Sequence, residues 1–239
     1  MSFQDVLDSQ FPGSRPEPEF VASTAGLLAP HGFTTENTLA CVSCCRDEIS
    51  TPLKREVAEV WGNPFSFSAL AGLYLAGRTG MGAALAHMPQ EDGRERVVIF
   101  AMPHVAIGEN GEPGRVMREG QVGPSGACGA LLAAKHDIDH GTAQPGLDFA
   151  DPEQSLLRTR LLSSLTEKQR RSDLFGLTKA LGQLVRADLE AAIGSALDTS
   201  VSDYALFAGV QIHGPEHHNY TWISDSFAVV SGMRKELRV

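Results

Sequence analysis

An apolar run that ends abruptly in thiols and charges fixes how residues 38–48, TLACVSCCRDE, can be placed. Thr38-Leu39-Ala40-Cys41-Val42 has the length and the β-branched content of a short buried strand, and Asp47-Glu48-Ile49-Ser50-Thr51-Pro52 reads as the loop leaving its carboxyl end. In α/β sheets that edge is where ligands bind. Three of the chain's four cysteines sit in this stretch, and the fourth, Cys128, lies in GPSGACGALLAAK. There Ser125 is expected to cap a helix whose first turn carries the thiol, close to exposed amide groups that favour a thiolate. A second strand, Val97-Val98-Ile99-Phe100-Ala101-Met102, delivers His104 at its end.

The rest of the chain supplies the frame. Residues 1–18 are polar and contain Pro12, Gly13, Pro16 and Pro18, which predicts a loosely held arm with a short helix near Phe3–Leu7. Helices are expected over Phe20–Leu28, stopped by Pro30-His31-Gly32, and from Pro52 to Trp61 with Leu53, Val57 and Val60 as the apolar stripe. Phe65–His87, with Gly72, Gly77, Gly80 and Gly82 around Arg78-Thr79, reads as helix, glycine loop, helix. Glu95–Ala101 and Val105–Ile107 are strand-like, and Glu109–Gly114 is a turn. Gly129–His136 continues the Cys128 helix, Asp139–Pro152 is loop, and Ser155–Leu165 and Asp173–Leu197 are helical. Tyr204–His213 and Tyr220–Val230, joined by Gly214-Pro215-Glu216-His217-His218-Asn219, form an antiparallel pair. The sum is a single α/β domain over 1–239 with a mixed sheet flanked by helices.

Composition narrows the function classes. A formal charge of −9 argues against a nucleic-acid surface, since such domains carry a basic face. No apolar run approaches the roughly 18 residues of a membrane helix, and no secretory leader is visible, so a soluble cytoplasmic protein is expected. In a reducing compartment, bunched thiols more often bind metal or react than form disulfides.

Zinc suits Cys and His ligands, and catalytic sites use three protein ligands with one position left for water. Cys45, His104 and Cys128 form the best triplet, because each falls at a strand end or helix start; Cys45 is preferred to Cys44 because it alone gives a Cys-x-Asp spacing. Asp47 is then the carboxylate near the ion. An arginine beside it would fix its orientation; Arg78 in the glycine loop reads by itself as an exposed cation, and Arg46 is adjacent to Asp47. Cys41 reads as a small buried hydrophobe. A thiol-redox pair of Cys41 and Cys44 is the competing reading, although residues three apart on a strand face opposite sides. His213, Glu216, His217 and His218 read as solvated loop at the rim of a site, and His87 as a core histidine.

The order Cys45-x-Asp47 followed by a His and, 24 residues later, a Cys is similar to the β-class carbonic anhydrases. More closely, Cys45-Arg46-Asp47-Glu48, Ala76–Ala83, Pro103-His104-Val105 and Ser125–Gly129 resemble the low-CO2-inducible B (LCIB) family of β-carbonic-anhydrase-like proteins. The resemblance implies that Zn2+ is held by Cys45, His104 and Cys128, that Asp47 and Arg78 form the dyad, and that the reaction is reversible hydration of CO2 to bicarbonate in a homodimer. The β-class spelling wants an arginine four residues after the first cysteine, and position 49 is Ile. Some family members lack measurable activity, so a non-catalytic zinc protein acting as a bicarbonate sensor or complex partner stands as the alternative.

Overall fold

The computed structural model describes residues 1–91 and 93–239. Its centre is a mixed sheet in which Thr38–Cys44, Arg94–Met102 and Ser202–His213 run parallel to one another and Asn219–Val230 runs antiparallel beside the last. Parallel strands buried on both faces are apolar throughout rather than alternating, and Val97 to Met102 are all inaccessible. Odd and even positions part company by face. Cys41, Val97, Ile99, Leu206 and Ala208 face one core, under the long helix Leu174–Ala196. Ala40, Val42, Val98, Phe100 and Phe207 face the other, under Glu17–Leu28 and Thr51–Trp61.

The ends of two of the helices have visible causes. The helix Leu174–Ala196 starts where the Asp173 carboxylate accepts from the Gly176 amide at 2.7 Å, and it turns twelve residues inward, Leu177, Leu181, Val185 and Leu189 among them. Thr51–Trp61 carries Pro52 in its first turn and ends on Gly62 at φ +80°. No helix among the described residues is long and apolar enough to cross a membrane.

Two expectations change. The N-terminal segment is packed rather than loose: Phe3–Gln10 is a helix closed by a Ser2–Asp5 capping box, and Val6, Leu7 and Phe11 are buried. The apolar side chains outweigh the prolines, because Phe11 finds an aromatic slot against Phe175 and Trp222. The span Phe65–His87 holds one helix, Gly77–Leu85; its first part is a two-residue strand, Phe65–Ser66, and a single turn, Leu70–Gly72, with Ala71 at φ 56°. The outer side of the late hairpin is covered. Arg15–Pro16 and Met233–Glu236 both pair along Asn219–Val230, and the outer residues Arg234, Lys235 and Glu236 are charged, as exposed edges usually are.

Candidate metal centre

The carboxyl ends of two neighbouring strands and one helix start converge. Cys45 follows directly on Thr38–Cys44 and bridges to Ala69. His104 opens the short strand His104–Ala106, set off from Arg94–Met102 by Pro103 and aligned with Gln211–His213. Gly72 makes that offset possible: at φ +76° its missing Cβ would lie 3.0 Å from the Pro103 Cα, so a side chain there would push the strand end away. Cys128 is the N-cap of the helix Gly129–Asp139. Ser125 is therefore not the cap that the sequence suggested. It sits in a two-residue strand paired with Arg115–Val116.

One ligand atom from each of Cys45, His104 and Cys128 lies within 4.8 Å of the others, and all three residues are buried. The two sulfurs are 3.7 Å apart and all four cysteines are free. The Nε2 of His104 is buried with no hydrogen-bond partner among the described residues. A buried ring nitrogen without a partner is costly, and a metal ion is the partner its lone pair suits. Two sulfurs and one imidazole nitrogen match zinc's preference and leave a fourth position. The group fits.

The charges are arranged for this. The contact with the Cys128 sulfur draws the Cys45 thiol down, against the opposing effect of burial, with His104 helping. Cys128 is pushed up by the same partnership and by burial, while the amides of Leu131 and Ala130 at the helix start pull the other way. Cys44 is pushed up to about 11 by burial, and Cys41 is raised still more strongly by the same cause. They face opposite cores, which leaves the redox pairing without geometry.

Asp47 stands beside the triplet, its Oδ2 3.9 Å from His104 Nε2. Its partner is Arg118. Two guanidinium nitrogens donate to the two carboxylate oxygens at 2.6 and 2.9 Å, a bidentate fork that holds the group's orientation. The remaining donors of Arg118 reach the Ser125 hydroxyl and the Gly126 carbonyl, each at 2.9 Å, and the Glu48 carboxylate. Burial alone would raise Asp47; the bonds from Arg118 overcome it and hold the carboxyl down to about 2.

Neither arginine expected for this role takes it. Arg78 is exposed in the first turn of Gly77–Leu85, with no ion pair among the described residues, because the glycine loop carries it outward while Met81, Ala84 and Leu85 turn in. Arg46 points the other way, to Glu153 at 2.7 Å. His87 is exposed against Phe65, not buried. Sequence reading missed Arg118 altogether; its one signal was its place in the segment that leads from the Glu109–Gly114 turn to Cys128. His213, read as loop rim, is buried behind His104 with its Nε2 2.9 Å from His104 Nδ1. Burial first, then the His104 ring, keeps His213 down to about 3 and so neutral. In front of the triplet is a cavity of about 330 Å3 lined by Cys45, Arg46, Asp47, Leu70, Arg118 and Cys128, among others.

Comparison with known proteins agrees with this geometry. Residues 14–231 match the family described as limiting CO2-inducible proteins B/C beta carbonic anhydrases. Among solved structures, the limiting CO2-inducible protein LCIB is 32% identical, with 97% of each chain covered and a TM-score of 0.80. PtLCIB4, a homolog of LCIB, is 22% identical over 99% of this chain and 100% of that one, with a TM-score of 0.83, a likeness of fold. No curated protein matches the chain. By the span of the family match and the identity to LCIB, this chain belongs to the limiting CO2-inducible B/C family of β-carbonic anhydrases.

Proposed function

We propose that the chain is a zinc-dependent carbonic anhydrase that interconverts CO2 and bicarbonate at the Cys45–His104–Cys128 centre. The observation that carries the reading is the placement of a charged, immobilised carboxylate, Asp47, 3.9 Å from the unpartnered ligand nitrogen of His104. Zinc, when bound, supplies the Lewis acidity that makes water nucleophilic near neutral pH.

The protein's own part is positioning. Cys45, His104 and Cys128 would hold the ion. Asp47 would accept a hydrogen bond from a water in the cavity and so orient it, and Arg118 keeps that carboxylate ionised and fixed in orientation. Leu70 and Ala130 give the cavity an apolar side, suited to a neutral substrate that needs no charged clamp.

Zinc analysis of the purified chain with stopped-flow CO2 hydration tests the reading. One zinc per chain with turnover supports it; full zinc without turnover at any pH from 6 to 9 favours a bicarbonate sensor or complex partner. The same reading includes a homodimer. Phe149 and Val122 are large apolar residues left in solvent on this chain, and light scattering that returns only the 25.6 kDa of one chain would count against the dimer.

A further inference from the structure

Behind the ligand histidine runs a chain of three side chains in fixed order. His104 Nδ1 lies 2.9 Å from His213 Nε2, and His213 Nδ1 lies 2.8 Å from Asn219 Oδ1. The backbone sets these contacts. Ala106 and His213 are register partners across parallel strands, and His213 and Asn219 are register partners across the last hairpin. Both rings are buried and meet edge to face, with planes 79° apart.

Each neutral imidazole has one N–H and one lone pair, so a row of this kind can run in only two directions. In one, His104 Nδ1–H donates to His213 Nε2, His213 Nδ1–H donates to the Asn219 carbonyl oxygen, and His104 Nε2 is left as a bare lone pair. In the other, the Asn219 amide nitrogen donates to His213, His213 donates to His104, and a hydrogen sits on His104 Nε2, the very atom that must ligate. The structure presents the Asn219 oxygen to His213. It also leaves His104 Nε2 unpartnered among the described residues. The Asn219 contact belongs to the first direction, and the unpartnered Nε2 is the atom that this direction leaves free to ligate.

We propose that Asn219, acting through His213, fixes His104 in its Nδ1–H tautomer and aims its Nε2 at the two sulfurs, so that His213 and Asn219 are positioning residues that set the affinity of the centre. The proposal rests on the reading of Cys45, His104 and Cys128 as zinc ligands, but its first consequence is a property of the metal-free chain. The row costs nothing to reorganise at the moment of binding, because its hydrogens already run the required way. It also explains why an imidazole, His213, is tolerated with 2% exposure: each of its nitrogens has one partner of the right polarity.

Long-range 15N–1H NMR of the imidazole rings reads the tautomer directly, in metal-free and zinc-loaded full-length protein, and chelator competition reads zinc affinity. Wild type is expected to show the Nδ1–H form of His104 before zinc is added. Asn219→Leu and His213→Leu should lose that single tautomer and bind zinc about 10- to 100-fold more weakly, the usual effect of losing a ligand's hydrogen-bond partner. Asn219→Asp, whose carboxylate still accepts, should restore both. Asn219 is only half-buried, so its variants give the answer even where His213→Leu does not fold. An Nε2–H ring in metal-free wild type, or zinc affinity within twofold of wild type in Asn219→Leu, overturns the proposal. Failure of wild type to take up zinc overturns the metal reading instead, while the tautomer measured without metal still decides the relay.

Discussion

Arg118 holds both carboxylate oxygens of Asp47 from 71 residues away, with its remaining donors bonded to Ser125, Gly126 and Glu48. A fork with every prong occupied cannot let the carboxylate go without breaking several bonds at once. Arg118→Ala should therefore keep zinc and fold but lose CO2 hydration by at least the 10- to 100-fold, roughly, of a lost supporting residue. Arg78→Ala should stay near wild type, since Arg78 is in solvent. Stopped-flow rates and zinc content of the two variants check this; equal rates would remove Arg118 from the dyad.

Ligand assignment makes a sharper demand. Cys45→Ser and Cys128→Ser should each come out of purification with the centre empty, whereas Cys41→Ser, four residues before Cys45 and outside the converging triplet, should retain one zinc per chain. Full zinc in Cys128→Ser would sink the triplet.

Glu17 gives the chain an alkaline weakness. It is fully buried at the start of Glu17–Leu28, and neither carboxylate oxygen has a hydrogen-bond partner among the described residues. Burial, with repulsion from Glu56 second, pushes it from 4.5 up to about 8. The folded chain thus binds a proton that the unfolded chain releases, so its stability is greatest below about pH 4.5 on this account, falls as pH rises toward about 8, and is level above that. Glu56, raised to about 7, acts in the same direction. The loss across the window has an upper bound of about 5 kcal/mol for Glu17. Urea midpoints at several pH values should fall in wild type and stay much flatter in Glu17→Gln; parallel curves would refute it.

The N-terminal helix is a structural member. Phe11 packs edge-on against Phe175 and Trp222, with ring centroids 5.6 and 5.9 Å away, and the Lys179 ammonium lies 4.7 Å over its ring. Phe11→Ala should cost about 3–5 kcal/mol, read as a drop in urea midpoint. A change under about 1 kcal/mol, the scale of ordinary surface substitutions or less, would return the segment to the status of a loose arm.

Local pattern alone determined much of this protein. Thr38–Cys44, Arg94–Met102 and the last hairpin are strands because their apolar, β-branched runs admit little else, and Leu174–Ala196 is a helix because its leucines recur every three or four residues. Once strands are placed, their ends are placed, and Cys45 and His104 follow from chain order with Cys128 at a helix start. Tertiary structure decided what chain order cannot carry. Which arginine reaches Asp47 depends on the path of the loop between Arg115–Val116 and Ser125–Gly126, set by a two-residue pairing too short to read. His213 looked like rim because its neighbours Gly214, Pro215 and His217 are turn-like, yet its register opposite Ala106 turns it inward. Phe11 looked free amid prolines until two distant aromatics closed on it. Periodicity reports which residues an element buries; it carries no information on which distant side chain fills the remaining hydrogen bond, because that choice is made by loop paths and strand register.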